Sequence, residues 1–265
     1  MINLTRRDWI GEFWRYRELF YFFVWRDLKV RYKQTLLGAA WAVIQPFFTM
    51  VVFSIFFSRI AQIPSDGIPY PLFSYAALLP WTYFSVAITN AGNSLTSNSD
   101  LLTKVYFPRS TIPASAAISG LLDFAIAFVV ILGLMAYYQF TPSWGLLLWP
   151  LLMAPLIMLA LGVGMFMAAL NAKYRDIKYA LPFIINLWLF ITPIIYPTSM
   201  LPAKWQPLLA LNPLTGIIEA FRASAFRPQA LDWRLLGISS AVTLVVLLGG
   251  ALYFRKTERV FADVI

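Results

Sequence analysis

The sequence predicts an all-α integral membrane protein. Three observations predict it. Hydrophobic residues make up 60% of the 265 residues and charged residues only 12%, about half the ~25% of a soluble domain. The apolar residues gather into runs of the length that crosses a bilayer, about 20 residues each, with room for six. Lysines and arginines concentrate in alternate links between those runs, as expected of a chain that weaves back and forth through lipid.

Composition also excludes chemistry. There are no cysteines and no histidines. That removes disulfide and thiol chemistry, the commonest metal ligand and the usual general base, and no metal site is expected. The net charge of +9 would suggest nucleic acid in a soluble protein. Here it belongs at helix ends beside anionic lipid, and no nucleic-acid partner is expected. The first 20 residues are too charged and too interrupted for a cleavable signal peptide.

The chain reads as one transmembrane domain over residues 1–265: an interfacial segment (1–35), a six-span body (36–254) and a cytoplasmic tail (255–265). Residues 9–33 predict an amphipathic helix lying in the interface. Asp8, Glu12, Arg15, Glu18, Arg26, Lys29 and Lys33 recur at helical spacing, with Phe13, Phe20, Val24 and Leu28 on another face. Span 1 covers 36–57 and contains Pro46. A loop without Lys or Arg leads to span 2, 70–89. The chain then turns polar from 90 to 110. Span 3 covers 112–138 and holds a lone acid, Asp123. Span 4 covers 144–170, followed by the charged link NAKYRDIKY. Span 5 covers 180–196. Residues 198–233 hold apolar pieces too short to cross, 208–211 and 214–226, broken by prolines, and read as re-entrant outer helices between spans 5 and 6. Span 6 covers 235–254. Lys104, Arg109, Lys173, Arg175, Lys178, Arg255, Lys256 and Arg259 then fall on one side with the basic N-terminal segment, which predicts both termini in the cytoplasm. Lys204, Arg222, Arg227 and Arg234 fall on the other side; Glu219 and Asp232, or outer headgroups, are their expected partners.

Several blocks carry a resemblance. RYKQTLLGAAWAVIQP (31–46), LLPWTYFSVAI (78–88), SNSDLLTKVYFPRSTIP (97–113) and LNPLTGIIEAFR (211–222) occur in this order. Together they resemble the polysaccharide-exporting branch of the ABC-2 permeases over essentially the whole chain. The ending FADVI is most similar to the O-antigen exporters of the Wzm type; capsule and teichoic-acid permeases share much of the pattern. The resemblance implies a homodimer that carries two copies of a separate ABC ATPase subunit. That assembly would export a lipid-linked, O-antigen-like polysaccharide across the bacterial inner membrane. It implies no cofactor in this chain, with ATP and Mg held by the partner, and no enzyme activity of its own. No G-x-x-x-x-G-K-[ST] occurs in the sequence, so no P-loop of this chain can cradle ATP phosphates.

A power stroke must enter through short structured loops. The candidates for ATPase coupling are Ser99, Asp100, Leu101, Leu102, Lys104, Val105, Tyr106 and Phe107, with Ser99 as N-cap and Pro108 as terminator, and then Lys173, Tyr174, Arg175 and Asp176. By the resemblance both segments touch the ATPase; either could also be a solvated connector. A sugar polymer needs flat faces and hydrogen-bonding tips. Trp41, Gln45 and Phe48 share one face of span 1. Phe183, Asn186 and Phe190 share one face of span 5, with Tyr196 near its end. These are the candidate channel-lining residues; helix–helix contact is the alternative use of the same faces. Asp123 either couples protons or pairs with an arginine, and pairing fits better with an ATP-driven machine. A membrane-embedded lipid-linked sugar transferase would need a metal or carboxylate cluster, and the cytoplasmic loops offer only isolated Asp100 and Asp176. A proton-driven flippase would need Asp123 or Glu219 to titrate.

Overall fold

The computed structural model describes residues 11, 14–33, 38–104, 107–174 and 176–258; at 102–104, 203 and 228 only the backbone is described. The chain enters on α1 (Arg17–Lys33). A 3-10 turn, Gly38–Ala40, leads into α2 (Trp41–Phe53), which continues as a π-helical segment, Ser54–Ile60. Then follow α3 (Tyr70–Ser97), the short α4 (Ser99–Lys104), α5 (Thr111–Ile118) and α6 (Leu121–Tyr137). A 3-10 turn, Trp144–Leu148, starts α7 (Trp149–Lys173), and α8 (Ile177–Ile191) follows. Short turns lead to α9 (Gln206–Ala210), α10 (Pro213–Phe226) and α11 (Trp233–Glu258).

Among the described residues, five helical stretches are long and apolar enough to cross a membrane: Gly38–Ile60, Tyr70–Ser97, Thr111–Tyr137, Trp144–Lys173 and Trp233–Glu258. At the place of span 5 stands α8, apolar but only 15 residues long. At 1.5 Å per residue it reaches about 22 Å, short of the ~30 Å hydrocarbon core. The sequence places the end of this span at Tyr196. The helix stops five residues earlier because Pro193 forces Thr192 into an extended conformation, φ −87° and ψ 140°.

Two other boundaries differ from expectation. Span 2 does not end at Thr89; its helix runs on to Ser97 through the polar stretch. Side chains there satisfy themselves on their own helix. Asn93 Nδ2 donates to Thr89 O at 2.9 Å, Ser94 Oγ to Ala91 O at 2.6 Å and Asn98 Nδ2 to Ser94 O at 2.7 Å. From α7, Asn171 Nδ2 donates to Gly92 O at 2.9 Å and to Asn93 Oδ1 at 3.1 Å. Span 3 is broken at Ser119–Gly120, between α5 and α6.

α3 is the axis of the molecule, packed by α7, α5, α6, α2 and α10. The main core joins α3, α6, α7 and α10, where the Trp149 ring stands 5.0 Å from Phe221 and 5.2 Å from Phe128. α7 and α11 cross where Gly162 faces α11: a Cβ there would lie 2.7 Å from Leu247 Cα, so only glycine lets the backbones approach this closely. A second, smaller core gathers Phe23 of α1, Leu95, Phe107, Ile112, the end of α7 and Phe254 of α11. It holds α1, the loop after α4 and the end of α11 at one end of the molecule. There Arg109 Nη1 donates to Glu258 O at 2.7 Å.

The re-entrant region is organised by α10. Asn212 caps it, accepting from Leu214 N at 3.2 Å and from Trp188 Nε1 at 3.0 Å, while its Nδ2 donates to Thr192 Oγ1 at 3.0 Å. Arg222 is buried. Its Nη1 pairs with Glu219 at 2.7 Å, its Nη2 donates to Pro193 O at 2.9 Å, and its guanidinium lies 3.7 Å over the Phe73 ring. Arg227 donates to Asp66 O, and Asp232 caps α11 by accepting from Arg234 N at 2.9 Å. Thus Arg222 spends its charge inside the protein and the Glu219 expectation holds for it, whereas Arg227 is exposed and bonds a backbone carbonyl. Asp232 instead serves the backbone.

Candidate functional site

Residues of α1, α2, α3 and α6 frame a cavity of about 290 Å³. Arg31 and Tyr32 come from the last turn of α1. Trp41 and Gln45 come from α2, one helical turn apart. Thr82, Tyr83, Val86 and Asn90 form one stripe of α3, and Gly120, Asp123 and Phe124 come from the start of α6.

The link that closes this space is charged. Arg31 Nη1 pairs with one carboxylate oxygen of Asp123, and the Tyr32 hydroxyl donates to the other. Both members of the ion pair are half-buried, with side chains 27% and 21% exposed. Asp123 therefore has the arginine partner that the ATP-driven reading favours, and the last turn of α1 is fastened to the first turn of α6. Burial, and then its hydrogen bond to Asp123, push the Tyr32 phenol up to about 12, so it remains a neutral donor throughout the physiological range.

The candidate lining residues divide. Trp41 and Gln45 line the cavity. Phe48, one turn further along α2, is 62% exposed and lies outside it. On α8, Phe183, Asn186 and Phe190 share an exposed face, with Tyr179 and Leu187 also exposed. Tyr196 is half-buried, and its hydroxyl donates back to Ile191 O at 3.2 Å and Phe190 O at 3.4 Å, closing the turn after α8. α2 and α8 both pack on α3, and each presents aromatic side chains outward.

The candidate coupling residues also divide. The helix starts at Ser99 itself, with Asn98 in the flanking position. Asp100 is exposed and Leu101 packs against the second core. Phe107 is 6% exposed with its ring 5.6 Å from Phe23; it anchors the loop to α1 instead of facing outward. Val105, Tyr106 and Arg175 lie outside the described residues, as do the side chains of Leu102 and Lys104. Lys173, Tyr174 and Asp176 are exposed at the bend between α7 and α8. Sequence reasoning did not assemble Arg31, Tyr32, Thr82, Tyr83 and Asn90 into one place. The signal available was the lone Asp123, which required a cation, and the cations nearest span 1 were few.

Residues 18–226 match the family described as ABC-2 type transporter. The chain is 31% identical to "O-antigen export system permease protein RfbA" of Myxococcus xanthus, with 99% of each chain covered. It is 30% identical to the protein of the same name from Klebsiella pneumoniae, over 91% of this chain and 92% of that one. It is 25% identical to "Polysialic acid transport protein KpsM" of Escherichia coli, over 88% and 91%.

Proposed function

The chain belongs to the ABC-2 type transporters, and from that premise we propose that it is the membrane-spanning permease of an ATP-driven exporter of lipid-linked polysaccharide of the O-antigen kind. The observation that carries this reading is the end-to-end similarity to an O-antigen export permease, 31% identical over 99% of both chains. As a permease subunit the chain leaves ATP hydrolysis to a separate ABC ATPase, which would hold ATP and Mg. The membrane is the bacterial inner membrane. The end that gathers α1, Arg109, Lys173, Arg255 and Lys256 faces the cytoplasm, as its positive charge favours.

The working unit is two copies of this chain with two ATPase subunits. Supporting this are the outward aromatic faces of α2 and α8, with Trp41, Phe48, Phe183 and Phe190 all more than half exposed. A second copy set against them would enclose a path with flat walls suited to sugar rings. Lys173, Tyr174 and Asp176, and separately Asp100, are exposed and are the residues on which an ATPase would dock.

The test is deletion of the gene and complementation. Surface polysaccharide should disappear and return with the wild-type copy, and the ATPase should co-purify with a tagged chain. Trp41→Ala and Phe190→Ala should lower export more than they lower the amount of membrane-inserted protein, with Trp41→Phe milder. Unchanged surface polysaccharide in the deletion strain would overturn the export reading. The similarity to the polysialic acid transport protein supports a second reading, capsule export; the identity of the lost polymer separates the two.

A further inference from the structure

We propose that the cavity between α2, α3 and α6 is a binding subsite for one neutral pyranose unit of the exported glycan, inside a single protomer. This rests on the export reading above and adds a place, formed within one protomer, where Trp41 of the exposed α2 face meets a sugar.

Unspent polar tips carry the inference. The side chains of Gln45, Thr82 and Asn90 make no hydrogen bond among the described residues, yet all three sit on membrane-crossing helices and line the same cavity. Further along α3, Thr89, Asn93 and Ser94 all donate to backbone carbonyls, whereas the buried Tyr83 hydroxyl in the wall of this cavity has no partner among the described residues. A polar group left open at membrane depth is costly unless it meets something polar. Two amides and a hydroxyl offer both donors and acceptors, the set that a sugar hydroxyl, itself donor and acceptor, can use.

Charge selects against an anion. Among the described residues, Arg31 and Asp123 are the only charged groups lining the cavity, and they are paired with each other. A phosphate entering here would meet the Asp123 carboxylate with no uncompensated cation to offset it. A neutral hydroxyl can instead donate to that carboxylate in a charge-assisted bond. The Trp41 indole, 55% exposed, supplies a flat face against which the C–H face of a pyranose can lie. At about 290 Å³ the space stands at the small end of ligand sites, suited to one ring and too small for a length of chain.

The experiment uses the permease–ATPase complex in lipid nanodiscs without nucleotide. The probes are the methyl glycosides of glucose, galactose, mannose and N-acetylglucosamine at millimolar concentration, with glycerol phosphate as the anionic comparison. Saturation-transfer NMR should show transfer to the ring protons of at least one glycoside. The signal should fall at least fivefold in Gln45→Leu and Asn90→Leu and partly in the near-isosteric Thr82→Val, which keeps the test valid if a leucine variant fails to assemble. No transfer to any glycoside, transfer unchanged in the variants, or stronger binding of glycerol phosphate overturns the subsite. Surface polysaccharide measured in the same strains keeps the two readings apart. Negative glycoside data with normal wild-type export overturn the subsite alone, whereas a deletion strain that loses no polymer overturns export itself.

Discussion

α3 and the span before it, Gly38–Ile60, pack against one another, yet 78% of the most apolar stretch of α3 is buried in the molecule against 11% of its neighbour. The buried helix is the less apolar of the two. A soluble protein would sort them the other way. In lipid, apolar side chains gain nothing by hiding from a solvent that is itself apolar, so packing and hydrogen bonding decide what goes inside. α3 carries serines, threonines and asparagines that need protein partners or their own backbone, together with small residues that allow close contact. The preceding span carries Trp41, Val52, Phe48, Ile55 and Phe56 exposed and can leave them to lipid or to another chain. The lesson is that hydropathy finds the spans of this protein while polarity finds its interior.

The largest expected effect is at the N-terminal end of α3, where Arg222 leans on Phe73. Arg222→Met leaves Glu219 without its partner and frees the carbonyls of Pro193 and Phe73. Removing one member of a buried pair costs about 3–5 kcal/mol, so the detergent-solubilised variant should aggregate or melt far below wild type in fluorescence-detected gel filtration. The double variant Arg222→Met with Glu219→Gln should recover part of the loss. Equal stability of the single variant and wild type would break the claim that this cation holds α3, α10 and the turn after α8 together.

The comparison itself is sharpened by a matched pair. Phe84 on α3 is fully buried, with its ring 5.1 Å from Trp188, whereas Phe48 on α2 is 62% exposed. Phe84→Ala should cost about 2–3 kcal/mol, at or below the low end of buried Phe→Ala changes because lipid replaces water as the reference. Phe48→Ala should shift the melting temperature within error. A large loss at Phe48 in the purified complex, absent in the isolated chain, would show that the outward face of α2 is covered by a partner.

A smaller effect is expected at the link between α1 and α6. Asp123→Asn and Arg31→Met should each lower stability by about 1 kcal/mol, because the pair is only half-buried. The double variant should lose less than the sum, since the two act on one bond. Strict additivity in thermal melts would mean the two side chains act independently.

The smallest perturbation tests direction. The chain has no cysteine, so single cysteines at Ser65 or Ser143 should label from outside with an impermeant reagent, and cysteines at Ser97 or Lys173 should not. Labelling at Ser97 in sealed cells would overturn the orientation without any change in stability.

Much of the architecture was legible in the sequence because membrane rules are local. A run of apolar residues needs no distant partner to be recognised, and α11 lies within four residues of its expected bounds. The break at Pro213 and the short helices on either side of it were legible for the same reason. Boundaries shifted where contacts decided them. The polar stretch after Thr89 stayed helical because its side chains bonded back to their own turns and Asn171 reached across from α7. α8 stopped early at Pro193. In the candidate site, the periodic faces of α2 and α8 were readable as faces, but nothing local says that the α2 face splits between a cavity, at Trp41 and Gln45, and the open surface, at Phe48.

The sequence by itself determined that this chain crosses a membrane, that it holds no P-loop and that its one acid deep in a span needs a partner. Each of these depends on residue type and spacing along one segment. Only the tertiary structure decided which cation answers Asp123, that Phe107 turns inward to Phe23, and that Thr82 and Asn90 share a cavity with Gln45. Those are meetings between segments tens of residues apart, fixed by how helices with small and polar faces close on one another, and no pattern along a single helix encodes the partner it will find.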